Sequence, residues 1–503
     1  MTAEPTSEPP RATSEGALTE RAPTERALTE RALAGLVIAL IAIEVCAVFE
    51  TAMAVAAIPT FMKVFRADAS TVGWTTTIYL LVGAASAATS GRLGDIFGRR
   101  AVLVAVLAAA AAGSLISVLA GDLWLVVLGR GVQGIAAGAL PLSFGMVREL
   151  LPERRVPLAM SLLGGVVPVC TGAGALLAGV LIDHSGWRAM FLTATVLGVA
   201  ATAIAIWGLP RTPGMTPRPT VDVLGGVLLA PAAGGVLFGA TQARDWGWDD
   251  SRVLLAFALG VAAFLAWAWW ERRVAAPMVD LRLFADRKVR LTTAATVMVG
   301  LGPMGAIAIL SQLVLQLPSK APVGLGLSPT ASGRLLLVVA VFGYGGAFVS
   351  GRVAQAVGAR WPLVIGTCTY VAGVVLWIFL AKSVAGTLLC LTLTGIATGF
   401  AATALPVLIT EGVPEEHTGE ATGINRVAQN IAVACGLSLT SVVLATSTVP
   451  GTTLPTRSAL VAALLCVTAL SVAGTVLGLL IGGRRPRETP AAARDLGVKP
   501  AEA

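Results

Sequence analysis

Long apolar stretches follow one another along most of the chain, separated by short polar segments. Each stretch is about as long as a helix that crosses a bilayer, which needs roughly 20 apolar residues. The pattern therefore predicts an all-α integral membrane protein with fourteen transmembrane helices. They are expected at residues 33–58, 72–90, 101–120, 123–146, 158–182, 188–209, 222–242, 252–271, 292–316, 330–350, 361–381, 384–410, 421–446 and 458–482. An even number of spans places both ends of the chain on the same side of the membrane.

The two ends of the chain lack this apolar pattern. Residues 1–32 are polar and low in complexity, and residues 484–503 have the same character. Both are predicted to be solvated, disordered tails. The first tail is too long and too mixed in charge for the leader of a cleavable signal peptide, and the apolar stretch after it is too long.

The apolar part of the chain repeats itself. Three short segments recur in the same order at a nearly constant offset of about 260 residues. The pairs are Gly91–Arg100 with Gly351–Arg360, Gly134–Gly138 with Gly395–Gly399, and Pro152–Glu153 with Pro414–Glu415. The repeat predicts two homologous six-helix halves at 33–210 and 281–483, joined by a linker at 211–280 that contains two inserted helices. Such halves, with a substrate site between them, are a known plan of secondary transporters.

Composition excludes several other classes of protein. The chain is 56% hydrophobic and 13% charged, whereas soluble domains carry roughly 25% charged residues. It has no G-x-x-x-x-G-K-[ST] loop, which argues against an ATP-driven pump. Its six cysteines lie in apolar stretches without a C-x-x-C pair, and it has only two histidines. We therefore expect no catalytic residues, no metal and no cofactor.

The positive charges indicate orientation. Most of the 36 Lys and Arg residues fall in the two tails and in the loops after even-numbered spans, which the positive-inside rule assigns to the cytoplasm. Both termini are therefore predicted to be cytoplasmic. Orientation explains the net charge of +8 without a nucleic-acid partner. The expected partners are a small-molecule substrate, protons and the lipid bilayer, and we expect a monomer. Arginine far outnumbers lysine, which indicates a high-GC bacterium and hence a bacterial cell membrane.

Three segments of the first half carry polar residues that are unusual in a membrane protein. Gly91–Arg100 is dense in glycine and arginine and contains one aspartate, Leu128–Gly134 places an arginine in an apolar span, and Phe49–Pro59 begins with a buried acid. With these segments the chain resembles the major facilitator superfamily, and within it the fourteen-span drug:proton antiporter family. The similarity covers nearly all of residues 33–482.

The resemblance implies a major facilitator fold and a secondary active transporter that exports small hydrophobic or cationic compounds in exchange for protons, as in multidrug efflux and antibiotic resistance. It also implies that a proton gradient, rather than a cofactor, is the energy source. Some residues depart from the family pattern. Glu50 stands where an aspartate is usual, and in Gly172–Gly179 the residue Ala175 replaces a proline and Ala178 a glycine. These departures leave open a uniporter or symporter of a specific metabolite. From another class, a membrane receptor or lipid-handling protein without transport is a further alternative, against which the charges in apolar spans argue.

Ionisable side chains in a bilayer are costly unless paired or hydrated, so each is a candidate for function. The candidates for proton coupling or for the substrate cavity are Glu50, Arg130, Glu44, Gln133, Asn425, Arg426 and Gln429. Glu50 lies deep in the first span and could bind and release a proton, or form a permanent ion pair with Arg130. Glu44 could line the same cavity or face another helix. A buried acid here favours cationic or neutral cargo, because an anion would meet an unfavourable charge.

The other candidates are polar residues of spans four and thirteen. Arg130 is always charged and needs a partner, and the resemblance assigns it a part in proton coupling. Gln133 lies one turn further and can share its face. Asn425, Arg426 and Gln429 could line the pathway or hold helices together by hydrogen bonds.

The polar segment Gly91–Arg100 is predicted to be a loop that acts as a conformational gate. The resemblance implies that Asp95 bonds the cytoplasmic end of a helix in the other half, with Arg148 as its charge partner. The glycines are expected to allow a tight loop backbone. The alternative is that the arginines only set the topology. The predicted gate residues are Gly91, Arg92, Gly94, Asp95, Gly98, Arg99, Arg100 and Arg148.

Overall fold

The computed structural model describes residues 30–482 except 68, 215–221, 248, 275–276, 278–280, 318–323, 328, 382, 415–416 and 450–454. Nearly all of the described part is helical, and its β pairing is a single antiparallel bridge between Thr448 and Pro455. The first helix begins at Glu30, inside the predicted N-terminal tail. The rest of that tail and the tail predicted at 484–503 lie outside the described residues.

The N-terminal helices run from α1 to α8. They are α1 (Glu30–Ala56), α2 (Ile58–Phe65), α3 (Ala69–Phe97), α4 (Arg99–Val118), α5 (Leu123–Gln133), α6 (Ala139–Leu150), α7 (Val156–Ser185) and α8 (Trp187–Gly208). Two further helices form a hairpin, α9 (Val223–Trp246) and α10 (Ser251–Glu271). The C-terminal helices are α11 (Arg287–Val299), α12 (Gly305–Gln316), α13 (Pro329–Val357), α14 (Arg360–Leu380), α15 (Val384–Glu411), α16 (Thr418–Ala445) and α17 (Arg457–Leu480). The predicted domain boundaries at 210 and 280 fall between helices.

Several helices begin at a residue whose side chain accepts hydrogen bonds from the first turn. Asp122 caps α5, Asp250 caps α10, Asp286 caps α11, Ser383 caps α15 and Thr456 caps α17. The first N–H groups of a helix have no acceptor within the helix, so these oxygens satisfy donors that would otherwise be unpaired. The helix starts are thus set locally.

Two of the predicted spans are interrupted near their middle. Between α5 and α6 the chain forms a tighter 3₁₀ segment at Gly134–Gly138, and between α11 and α12 it forms a wider π turn at Gly300–Met304. Pro303 in the π turn has no N–H to donate, which favours a break in the regular hydrogen-bond ladder. Apolar length alone did not predict either interruption.

Twelve helices of the described part are long and apolar enough to cross a membrane, counting 123–150 and 287–315 as one each. The two predicted spans that are not among them lie in α3 and α9. Helix α3 carries many Thr, Ser and Gly residues and ends in charged ones, and the apolar segment described in α9 is only Leu224–Val236. The structure therefore does not confirm the predicted count of fourteen.

The internal repeat is visible in the backbone and in the packing. Gly98 and Gly358 occupy equivalent repeat positions, and both have positive φ angles, 96° and 92°, at the connection between two helices. Helix α3 packs against α16, and α7 packs against α13 in the equivalent way. The N-terminal and C-terminal helices therefore meet along two related pairs of helices.

The α9–α10 hairpin lies at one of these pairs. Helix α10 packs on α9, and α9 contacts both α3 and α16. A buried cluster joins these helices through Ala84 and Ala87 of α3, Leu229 of α9, Trp267 of α10 and Val427 of α16. The inserted hairpin thus covers the junction between the N-terminal and the C-terminal helices.

Candidate functional site

A cavity of about 480 Å³, including the open space at its mouth, lies between the N-terminal and C-terminal helices. Helices α6, α7 and α15 form its mostly apolar walls, and α16 forms a polar wall. The polar wall consists of Thr422, Asn425, Arg426 and Gln429. Their spacing of three and four residues places them on one face of a helix. The structure therefore brings the three predicted residues of span thirteen together at a cavity. It adds Thr422, which the same spacing could have identified.

The polar wall is also bonded to neighbouring helices. The Thr296 hydroxyl of α11 donates to Asn425 Oδ1 over 2.9 Å, and Arg426 Nη1 donates to Gln429 Oε1 over 2.8 Å. Gln429 Nε2 lies 3.4 Å from the sulfur of Met304. Asn425 and Gln429 therefore line the cavity and also bond neighbouring elements, whereas the Arg426–Gln429 bond lies within α16. A place for these residues in the transport pathway stays a prediction.

Glu44 lies in α1 with only 2% of its surface exposed. Ser143 of α6 donates a hydrogen bond to Glu44 Oε1 over 2.9 Å. The charge of Arg426, on the opposite set of helices, acts on the Glu44 carboxyl group, although Glu44 does not line the cavity. Glu44 therefore connects the N-terminal helices electrostatically to the polar wall.

Arg130 and Gln133 form a separate buried network. Arg130 is 1% exposed; its Nε donates to the Thr75 carbonyl over 3.2 Å and its Nη1 to Gln133 Oε1 over 2.7 Å. The guanidinium also lies 4.3 Å from the centre of the Tyr79 ring. Gln133 Nε2 donates to Ser114 Oγ over 2.5 Å. This network joins α3, α4 and α5 and does not line the cavity.

Glu50 belongs to α1, but its side chain lies outside the described residues. The predicted Glu50–Arg130 pair, like the predicted role of Glu50 in proton coupling, stays a prediction.

The predicted gate residues lie where α3 ends and α4 and α16 begin, which we call the Arg-rich end. Asp95 accepts a hydrogen bond from the Glu420 amide of α16 over 3.4 Å. Its other carboxylate oxygen accepts from Arg99 Nη2 over 2.9 Å. Asp95 lies beyond the apolar part of α3, and burial raises its pKa to about 6, although Arg99 and the Glu420 amide act to lower it. Asp95 thus reaches the other set of helices, as the resemblance implies.

The charge partner predicted for Asp95 is wrong. Arg99, not Arg148, lies beside the carboxylate. Arg148 instead crosses directly to the loop before α16, where it donates to the Val413 carbonyl over 2.8 Å and to the Thr418 hydroxyl over 2.7 Å. Asp95 and Arg148 therefore both contact the N-terminal end of α16 and the loop before it. Asp95 bonds the Glu420 amide, whereas Arg148 bonds Val413 and Thr418.

The prediction of a loop at Gly91–Arg100 is also wrong, because α3 continues to Phe97 and Gly98 alone separates it from α4. Only Gly98 needs the positive φ that glycine tolerates. Gly91 has another role: a Cβ atom there would overlap the Gly419 carbonyl of α16. A Cβ at Gly94 would overlap Leu142 of α6. These two glycines permit close helix packing rather than a turn.

The arginines of the segment divide between two tasks. Arg92 lies 3.5 Å from Glu420 of α16. Arg99 bonds Glu149 of α6 over 2.8 Å, and Arg100 bonds carbonyl groups at the end of α8. Arg92 therefore joins the two sets of helices, whereas Arg99 and Arg100 hold the N-terminal helices together.

Sequence reasoning did not identify Glu420 and His417 as part of this contact. The Glu420 side chain is fully buried, and His417 Nδ1 lies 3.0 Å from its carboxylate. A usable signal was present, since Glu420 follows closely on the repeated Pro-Glu pair and His417 is one of only two histidines.

Comparisons with known proteins agree with this architecture. A family profile described as Major Facilitator Superfamily matches residues 40–319, 220–433 and 292–502. The chain is 29% identical over 404 residues to the tetracenomycin C resistance and export protein of Streptomyces glaucescens, covering 79% of this chain and 73% of that protein. It is 30% identical over 305 residues to a multidrug resistance protein B homolog of Mycobacterium tuberculosis, covering 58% of this chain and 55% of that protein.

Two solved structures are similar in fold. The human organic anion transporter MFSD10 (TETRAN) matches with a TM-score of 0.63 and 15% identity, covering 90% of this chain and 99% of that one. The proton:xylose symporter XylE matches with a TM-score of 0.60 and 15% identity, covering 90% of this chain and 96% of that one. At this identity the similarity concerns the fold alone.

Proposed function

The chain belongs to the Major Facilitator Superfamily, and on that basis we propose that it is a proton-coupled exporter of small hydrophobic compounds that works by alternating access. It is a multi-pass membrane transporter of small molecules, and its relatives include bacterial proteins named for drug resistance and export. Those names support efflux as the direction of transport.

The observation that supports proton coupling is the placement of Glu44. Its carboxyl group is buried among the N-terminal helices, while the guanidinium that acts on it belongs to α16 and lines the cavity. Alternating access moves one set of helices relative to the other, so it would change the distance between these two groups. The proton affinity of a buried carboxylate depends strongly on nearby charge. Glu44 could therefore exchange a proton once per transport cycle.

We propose that the Arg-rich end faces the cytoplasm and that the structure is closed on that side. The positive-inside rule supports the orientation. The direct contact of Gly91 with Gly419, together with the bonds of Asp95 and Arg148 to the start of α16, supports the closure. Opening toward the cytoplasm would then require α3 to separate from α16.

We also propose that α3 and α9 cross the membrane, which would give fourteen spans. At 1.5 Å per residue, helices of 29 and 24 residues exceed the roughly 30 Å of the hydrocarbon core. Helix α3 is enclosed by α4, α9 and α16, so its polar residues need not face lipid.

Proteoliposomes with an imposed pH gradient and an internal pH dye test the proposal. A panel of lipophilic cations, neutral antibiotics and anionic metabolites would be screened with the wild type and with Glu44→Gln, Glu50→Gln and Glu153→Gln. Glu153 is an exposed residue between α6 and α7, so its variant is the matched control. We expect substrate-dependent proton movement in the wild type and in the control, and its loss in Glu44→Gln.

The other outcomes separate the alternatives. Loss in Glu50→Gln alone would assign coupling to Glu50 and reject the role of Glu44. Substrate flux without proton movement in any protein would reject the antiporter and favour a uniporter. Ala175 in α7, where the antiporter pattern has proline, is the sequence feature that favours this second candidate.

A further inference from the structure

We propose that the central cavity binds amphipathic organic anions, with the Arg426 guanidinium holding a carboxylate or a similar acidic group. The proposal rests on the proposed function in one respect, because it takes this cavity as the substrate site. It names a class of cargo opposite in charge to the cationic compounds that the sequence predicts.

The charge of the cavity wall is the first reason. Among the described residues that line the cavity, Arg426 is the charged one, and its polar neighbours Thr422, Asn425 and Gln429 are neutral. A guanidinium stays protonated at any physiological pH. A cation bound against the polar wall would therefore meet a like charge, whereas an anion would meet an opposite one.

The hydrogen-bonding capacity of Arg426 is the second reason. A guanidinium offers five N–H donors in a planar fork. The described protein acceptor of Arg426 is Gln429 Oε1, which takes one of them at 2.8 Å. The other donors remain for a ligand in the cavity that the side chain lines. A carboxylate matches the fork because it can accept two parallel N–H bonds.

The buried acid does not occupy this fork. Glu44 accepts a hydrogen bond from Ser143, and its charge acts on Arg426. Among the described residues, however, Glu44 and Arg426 do not form an ion pair, because no carboxylate oxygen of Glu44 lies within 4.0 Å of the guanidinium. Arg130 is not available either, because it is 1% exposed, bonds Thr75 and Gln133, and does not line the cavity. Arg426 is therefore the described cation that a ligand in the cavity can reach.

The opposite walls suit the apolar part of such a ligand. Leu140 and Phe144 of α6 and Leu405 and Pro406 of α15 line them. An aromatic or aliphatic body would lie against these side chains while its acidic group contacts α16.

Three probes that share one ring system and differ in charge test the proposal: naphthoate (anionic), naphthamide (neutral) and naphthylmethylammonium (cationic). Equilibrium binding to the full chain in nanodiscs, without a pH gradient, would be measured for each. We expect naphthoate to bind most tightly. Arg426→Gln should weaken naphthoate about tenfold or more, as expected for the loss of a hydrogen bond to a charged group. It should leave naphthamide within about twofold, which also shows that the site is folded.

Two further variants complete the design. Arg426→Lys keeps the charge without the fork and should retain part of the preference for naphthoate. Arg334→Gln removes the same charge from an exposed position in α13 and should change nothing. Tighter binding of naphthamide or naphthylmethylammonium, equal losses for all three probes in Arg426→Gln, or no binding of any probe would overturn the proposal.

These results are independent of the liposome experiment. If naphthoate binds through Arg426 while no protons move, the anion site stands and the antiporter is rejected. If protons move only with cationic substrates, coupled transport stands and the anion site is rejected.

Discussion

Arg130 and Arg426 show two ways in which a membrane bundle accommodates a permanent charge. Arg130 is enclosed by a carbonyl, an amide oxygen and an aromatic ring, so its charge is used to join helices α3 and α5. Arg426 lines a cavity, and among the described residues its hydrogen-bond partner is Gln429. Sequence placed both in apolar spans, but only the packing shows that Arg426 lines the cavity and that Arg130 does not. The part of Arg130 in proton coupling stays a prediction.

Asp95 makes a prediction about pH. Its pKa is raised from 3.8 to about 6, so folding favours the protonated form. The associated stabilisation is complete below 3.8 and is lost as the pH rises through about 6, and it amounts to at most about 3 kcal/mol. Thermal unfolding of the purified protein should therefore show a larger fall in midpoint between pH 5 and pH 7.5 for the wild type than for Asp95→Asn.

The comparison with Asp95→Asn isolates this one group. Arg99, Arg92, Glu420 and His417 lie around this site and are present in both proteins, so they do not account for a difference between the two. An equal fall in the two proteins would show that Asp95 titrates as an ordinary exposed aspartate and is not buried as described.

The charge partner of Asp95 was missed for a definable reason. Asp95 and Arg99 are four positions apart, a spacing that brings side chains together when the backbone is helical. The polar, glycine-rich composition of Gly91–Arg100 predicts a loop, in which a spacing of four residues does not bring two side chains together. The error in local structure therefore produced the error in pairing.

At the scale of helices, α3 and α16 can approach each other closely because both residues at their point of contact are glycines. Gly91 and Gly419 face each other so closely that a Cβ on either would overlap the backbone of the other helix. Small residues allow such approach in membrane bundles, where packing and hydrogen bonds hold helices together. The same contact brings Asp95 within reach of the start of α16.

Gly91→Ala should weaken this contact. A backbone carbonyl cannot move aside as a flexible side chain can, so we expect overpacking to lower stability by about 1–3 kcal/mol. Gly345→Ala is the matched control, because Gly345 is an exposed glycine in α13 and a Cβ there meets nothing within 4 Å. Thermal unfolding should show a lower midpoint for Gly91→Ala and an unchanged or slightly higher one for Gly345→Ala. Equal midpoints for both variants would show that α3 and α16 are not in close contact.

At the scale of the whole molecule, the inserted α9–α10 hairpin connects parts that the repeat separates. Trp267 of α10 is 3% exposed and belongs to the cluster formed with Ala84 of α3 and Val427 of α16. The hairpin thus packs against the N-terminal and C-terminal helices at the same junction that carries the Gly91–Gly419 contact. We infer that it stabilises the state in which that junction is closed.

Trp267→Ala should therefore lower the midpoint of thermal unfolding markedly, since removing a buried tryptophan costs about 3–5 kcal/mol. Trp269→Ala removes the same side chain two residues further along α10, where it is 55% exposed. Its effect should be small. Similar losses in the two variants would indicate that α10 packs in a different orientation.

The sequence by itself determined the membrane class, most of the helix positions, the repeat and the candidate polar residues. These follow from local quantities: the apolar length that a bilayer requires, the recurrence of short segments, and the cost of a charge in lipid. Tertiary structure alone decided which of these residues meet. Asp95 contacts α16, and Arg148 bonds the Val413 carbonyl, so both residues join helices that are far apart in sequence. Arg426 lines a cavity whose other walls come from distant helices. Such contacts depend on how helices pack, and an apolar pattern specifies that a helix is buried without specifying its neighbour.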